Sequence, residues 1–170
     1  MKSPFGRIGL FLAKKKMRNY LLIILLSSSF ISVAQDFGRS DSLRGYLSAE
    51  RSCYNVTYYD LDLSVDIDSK YISGFVDIYF AATADFSVMQ FDLFQNMKVN
   101  SVFFEGDEMN ISREYDAVFV QMDRVVRENE QSLIRVEYNG NPRVAINPPW
   151  DGGFSWRKDD NGKDWVGVSC

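Results

Sequence analysis

Apolar and polar residues alternate along much of this chain, and the clearest run is Tyr59–Asp68. Tyr59, Leu61, Leu63, Val65 and Ile67 occupy the odd positions, with Asp60, Asp62, Ser64, Asp66 and Asp68 between them. A period of two marks a strand with one face on a core and the other in water. The pattern predicts a strand over Tyr54–Asp68, a turn at Asp68-Ser69-Lys70 and a return strand over Tyr71–Ala81. In the return strand Val76, Ile78 and Phe80 share one face, and Phe75, Asp77 and Tyr79 share the other. Together they read as an antiparallel hairpin.

Further strands follow at short spacing. Val88–Phe94 alternates Met89, Phe91 and Leu93 against Gln90 and Asp92, and Val99–Phe104 runs into the turn Glu105-Gly106-Asp107-Glu108. Met109–Ile111 reads as a short strand beyond that turn. Ala117–Met122 and Ser132–Tyr138 alternate again, and Asn139-Gly140-Asn141-Pro142 closes the series with turn residues. No long helical period interrupts them. The expected fold is all-β, an antiparallel sandwich or saddle-like sheet. At the end of the chain, Phe154-Ser155-Trp156 and Trp165-Val166-Gly167-Val168 flank Asp159-Asp160-Asn161-Gly162-Lys163-Asp164. Asn161-Gly162 predicts a tight hairpin turn, with Trp156 and Trp165 facing each other or sitting as near neighbours across it.

The first 34 residues read differently. Lys2, Arg7, Lys14, Lys15, Lys16 and Arg18 form a basic start without acidic residues; the apolar run Tyr20–Leu26 and the small-residue pattern Ser32-Val33-Ala34 follow. This is the pattern of a secretory signal peptide cleaved after Ala34. An uncleaved anchor would need an apolar run of roughly 20 residues. Met17 offers a second, more compact start. No cysteine follows Ala34 directly, which argues against a lipid-anchored N-terminus. The expected organisation is therefore a signal peptide at 1–34, a polar lead-in at 35–52 with at most a short helical turn near Asp41-Ser42-Leu43-Arg44, and a β-domain over 53–170. The protein is expected to be exported, to the periplasm or beyond, with no membrane insertion once the signal is removed.

Charge sharpens this picture. The 19 Lys and Arg less the six of the signal leave 13, against 23 Asp and Glu, for a mature charge of −10. Such an acidic domain is a poor partner for nucleic acid or an anionic membrane. The chain has no histidine. That removes a Ser-His-Asp or Cys-His nucleophile, a histidine base and an HExxH zinc site from these residues. Cys53 and Cys170 are too far apart in sequence for a CxxC site; in an oxidising compartment they could pair with each other, and the alternatives are two independent thiols or partners further along the polypeptide. Asp60, Asp62, Asp66 and Asp68 line one strand face about 7 Å apart, which suits a solvated face better than the folded-back oxygen cage that calcium needs. Asp159-Asp160-Asn161-Gly162 resembles a calcium loop but puts Arg157 and Val168 where ligands should stand. Asn55-Val56-Thr57 and Asn110-Ile111-Ser112 match the glycosylation pattern.

All three tryptophans fall in the last stretch, at 150, 156 and 165. Trp150, Asp151, Gly152, Gly153, Phe154, Trp156 and Trp165 form the candidate contact surface, for another domain or a ligand. Exposed tryptophans can stack on sugars, whereas buried ones fill a core.

Tyr-Tyr-Asp-Leu-Asp-Leu-Ser-Val-Asp-Ile-Asp at 58–68 and Ile-Ser-Gly-Phe-Val-Asp-Ile-Tyr-Phe at 72–80 lead this series. Met-Gln-Phe-Asp-Leu at 89–93, Val-Glu-Tyr-Asn-Gly-Asn-Pro at 136–142 and Trp-Asp-Gly-Gly-Phe at 150–154 complete it. In this order they resemble the N-terminal domain of the aminopeptidase N-like zinc metallopeptidases, peptidase family M1, of the exported bacterial type. The resemblance covers Cys53 to Cys170. It implies a saddle-shaped β-domain packed on a catalytic domain of the same polypeptide. In the family that catalytic domain carries zinc, and the full-length enzyme removes N-terminal residues from peptide substrates. The HExxH and Gly-x-Met-Glu-Asn-type motifs that do this in the family are not in this sequence, so no catalytic or metal residue is carried over. The expectation is a chain cut before its catalytic domain, without a cofactor of its own and inactive alone. The alternative is a free-standing secreted β-sandwich that binds a glycan or a protein.

Overall fold

The computed structural model describes residues 37–169. The expected signal peptide and Cys170 lie outside the described residues. Two short helices open the chain: α1 is Arg39–Gly45 and α2 is Ala49–Ser52. Ten strands follow: β1 Tyr54–Asp66, β2 Tyr71–Ala82, β3 Phe86–Asp92, β4 Met97–Phe104, β5 Asp107–Glu108, β6 Asn110–Glu114, β7 Ala117–Val126, β8 Gln131–Gly140, β9 Gly153–Lys158 and β10 Asp164–Ser169. One antiparallel sheet has the order β1-β2-β8-β4-β5, a second has β3-β7-β6, and β9 with β10 forms a separate hairpin. The all-β antiparallel architecture expected from the alternation is the one observed.

The two larger sheets bury one core. Ile78 and Phe80 of β2, Ile134 and Val136 of β8, and Val102 and Phe104 of β4 meet Met89 of β3 and Val120, Met122 and Val126 of β7. Each of these side chains lies on the alternate face that its strand's sequence marks as apolar, so the period of two does place the core here. The first hairpin pairs as predicted, with Leu61 opposite Val76 and Val65 opposite Ile72. Asp66 shapes its turn by accepting hydrogen bonds from the backbone N–H groups of Asp68 and Ser69, at 3.1 and 3.2 Å.

Three expectations are corrected. First, the apolar row of β1 is not core: Tyr59, Leu61, Leu63 and Val65 are between 38% and 56% exposed. The five-stranded sheet is wider than the three-stranded one that covers it, and β1 is its outermost strand. Second, Gln90 is buried rather than wet, at 1% exposure. Its Nε2 donates to Leu43 O at 3.0 Å and to Asp92 Oδ1 at 3.1 Å, and Tyr54 OH donates to its backbone oxygen at 2.8 Å. A buried amide is tolerated when its hydrogen bonds are made. Third, the residues after Phe104 do not form one short strand. β5 pairs with β4, whereas β6 crosses to the other sheet and pairs with β7.

The lead-in is docked against the sandwich and holds two helices rather than one turn. Gly38 N donates to Asp41 Oδ2 at 3.0 Å at the start of α1, and Leu43 is buried. Arg39 forks onto Glu114 of β6 with two contacts of 2.9 Å. Arg51 reaches Asp92 of β3 at 3.0 Å.

Candidate interaction surface

The segment from Arg143 to Ser169 builds a small unit of its own. Val144 bridges Phe154 in parallel: Phe154 N donates to Arg143 O at 2.8 Å and Ala145 N to Phe154 O at 2.9 Å. Gly153 makes this approach possible. Its φ is 139°, and a Cβ there would stand 2.7 Å from Arg143 O and 2.8 Å from Ala145 N. Asp151 secures the loop before it, its carboxylate accepting from Ile146 N at 2.6 Å and Asn147 N at 2.8 Å. The Pro148-Pro149 bond in that loop is cis. Among the predicted contact residues, then, Asp151 and Gly153 hold the backbone, and Gly152 is unstrained.

The aromatics of this unit divide. Trp150 is 84% exposed and Trp165 63%, whereas Phe154 and Trp156 are half-buried and stack at 5.5 Å with 19° between their rings. Trp156 and Trp165 do not face each other across the hairpin; they stand one register step apart. Trp156 lies opposite Val166 and Trp165 opposite Arg157, so the two indoles point to opposite faces of the hairpin. The cause is the turn. Lys158 pairs with Asp164, leaving a loop of 159–163 rather than a two-residue turn at Asn161-Gly162. Asp159 organises that loop, accepting at Oδ1 from Asn161 N and Lys163 N, both at 2.8 Å. Changing the loop by one residue changes which side chains share a face.

Beside this unit runs an apolar cleft of about 830 Å3. Tyr59, Leu61 and Leu63 of β1 form one wall, Val76, Val136 and Tyr138 the floor, and Phe91, Leu93 and Phe94 the rim of the second sheet; Phe154 and Val168 approach from the hairpin. This is the continuation of the core face beyond the edge of the covering sheet. Periodicity marked these β1 residues as apolar but gave no sign that they would be open.

The opposite face of the large sheet carries charge. A groove of about 800 Å3 there is lined in part by the charged Asp77, Arg135 and Glu137 together with the aromatic Tyr79 and Phe103. Arg135 grips Asp77 with two contacts of 2.7 Å and lies 4.0 Å over the Phe75 ring. Those hydrogen bonds hold the Asp77 carboxyl below the usual carboxylate range, against the opposing effect of its burial. A depressed carboxylate contributes stability above its unfolded value near pH 4, and the contribution is lost as pH falls through the lower folded value. Arg135→Met is therefore expected to lower the urea midpoint at pH 7, modestly because the guanidinium is 41% exposed and screened by solvent. Urea denaturation at a series of pH values should show the gap between variant and parent closing below about pH 4.

Nucleophile and metal chemistry find little support here. Cys53 is buried, and desolvation pushes its thiol up to about 11, far from thiolate at neutral pH. It has no cysteine partner among the described residues. Neither the Asp60, Asp62, Asp66 and Asp68 row nor any other group of three Cys, Asp or Glu converges as a metal-binding set among the described residues. With no histidine in the sequence and no converging carboxylate or thiol set among the described residues, these residues do not fit a zinc ion. No described helix is long and apolar enough to cross a membrane.

Solved structures supply the comparison. An M1 zinc metallopeptidase from Deinococcus radiodurans superposes with a TM-score of 0.52 and 24% identity, over 62% of this chain and 26% of that one. A mutant of that enzyme bound to a Tyr-Ser-Ala substrate gives 0.51 and 24%, over 61% and 24%. This chain shares its fold with part of the M1 zinc metallopeptidases. Native yeast LTA4 hydrolase matches at 0.50 and 18% identity, over 67% of this chain and 18% of its own. The chain thus spans about a quarter or less of the length of these proteins. No family profile and no curated protein matches the sequence.

Proposed function

We propose that this chain is the N-terminal β-domain of an exported zinc aminopeptidase. In that reading the whole polypeptide removes N-terminal residues from peptides, and the zinc is held outside these 170 residues. The observation that carries it is the M1 fold, matched over some three-fifths of this chain but only a quarter of its neighbours. Supporting it, large apolar side chains stand open both on β1 and in the Arg143–Ser169 unit, where a partner domain would cover them. Trp150, Asp151, Gly152, Gly153, Phe154, Trp156 and Trp165 are the proposed contact region, with Trp150 and Trp165 touching the neighbour and the others shaping the loop. The segment 1–34 directs export. The domain itself caps the catalytic domain and supplies no reacting group.

Two measurements test this. The reading frame beyond the Cys170 codon should continue and encode an HExxH motif, and the purified 170-residue chain should leave an aminoacyl reporter intact. A stop codon at that point, or hydrolysis by the purified chain, overturns the reading. With a stop codon and a glycan or protein ligand lost in Trp150→Ala or Trp165→Ala, the free-standing binding module takes its place.

A further inference from the structure

The outer edge of β1 is a long unpaired edge among the described residues. β1 runs for 13 residues and, among the described residues, has a strand neighbour on one side only. Exposed edges are usually guarded by proline, charged side chains (lysine above all), a bulge or a covering loop, and the charges on β1 are all acidic. β1 contains neither proline nor lysine, and its one register shift lies at Val56/Tyr58, before the exposed row begins. Its two faces differ sharply in character. Tyr59, Leu61, Leu63 and Val65 continue the apolar core face into the cleft. Asp60 and Asp62, opposite Asp77 and Phe75 of β2, stand on the other face and make no ion pair among the described residues. The nearest guanidinium on that face, Arg135, is already committed to Asp77.

We propose that the β1 edge receives an extended strand of the same polypeptide. That strand is apolar on the side that closes the cleft and carries basic or hydroxyl side chains on the side of Asp60 and Asp62. The source rests on the reading that this chain is one domain of a longer enzyme. Charge selects the occupant. A cationic residue opposite Asp60 or Asp62 makes a favourable cross-strand pair, whereas a second copy of β1 would bring its own Asp60, Asp62 and Asp66 into the same row. The length and apolarity of the open row fit a permanent neighbour, because strand addition supplies main-chain hydrogen bonds along the edge while alternate side chains fill the cleft.

The test uses the 170-residue chain and two synthetic ten-residue peptides with the same alternating Val and Leu positions. One carries Lys and Thr between them, the other Glu and Thr. Fluorescence anisotropy should show the Lys peptide binding about ten-fold tighter than the Glu peptide. The double substitution Asp60→Lys with Asp62→Lys should reverse that order. Hydrogen exchange should slow in β1 on binding and not in β6, the edge of the other sheet. Equal affinities, an order that survives the double substitution, or binding without protection of β1 overturns the proposal. So does a stable dimer of the chain alone with β1 protected. These arms hold whatever lies beyond Cys170. In the longer polypeptide, β1 amides should already exchange slowly and the Lys peptide should not bind. An edge still open there, or a reading frame that stops, overturns the same-polypeptide source, and only the second outcome also removes the aminopeptidase reading.

Discussion

Phe80→Ala is expected to destabilise the domain by about 3–5 kcal/mol. Phe80 is 1% exposed and sits where three elements meet. Its ring lies 6.0 Å from that of Tyr54 at the start of β1 and 6.1 Å from that of Phe86 at the start of β3. Truncation removes apolar area and leaves a cavity that neighbouring strands cannot collapse to fill, because their backbones are held in register. Domains of this size are stable by about 5–15 kcal/mol, so the variant loses a large share of the total. Its melting temperature should fall by on the order of 10 °C. Truncating Phe94, which is exposed on the cleft rim, should stay within about 0.5 kcal/mol. Similar urea midpoints for Phe80→Ala and Phe94→Ala would show that the two sheets are not packed through Phe80.

Gly74→Ala is expected to be nearly as damaging, for a different reason. Gly74 has φ of 152°, and a Cβ there would stand 1.9 Å from the carbonyl oxygen of Asp62. That contact is with backbone, so no rotamer change relieves it. β1 must move away from β2 or the turn must rebuild. A loss of about 2–4 kcal/mol follows from the strain and the broken pairing together. Gly106→Ala is the control: its φ is also positive, at 97°, but nothing lies within 4 Å of the new methyl, and the cost should be only the backbone strain of about 1 kcal/mol. Hydrogen exchange should locate the Gly74→Ala damage in β1. The variant should also lose the strand-accepting edge while the β3-β7-β6 sheet keeps its protection. Equal effects of the two substitutions would place the hairpin in some other register.

Much of the fold was legible before any coordinates. The strands expected over Tyr54–Asp68 and Tyr71–Ala81 match the first hairpin to within two residues at each end, and Gly74 already stood within the quoted motif at 72–80. Of the tail aromatics, Trp150 and Trp165 are open whereas Phe154 and Trp156 are half-buried, a division that composition and spacing do not show. The relation between Trp156 and Trp165 was not legible, because it depends on whether the connecting loop is two residues or five. Gln90 could not be read as buried, since its partners Leu43 and Asp92 include one 47 positions away. Asp77 looked like any wet strand position until Arg135 of a strand 58 residues later closed on it.

What the sequence by itself determined is the class of fold, the existence of most strands and the apolar face of each. Side-chain alternation is local and follows from strand geometry alone. Which of those faces is covered was decided only by the tertiary structure. Coverage depends on how many strands the opposing sheet has and where it stops, and no run of residues in β1 encodes that. The exposed row of Tyr59, Leu61, Leu63 and Val65 is the consequence: identical in pattern to core, and open because the three-stranded sheet ends before it reaches β1.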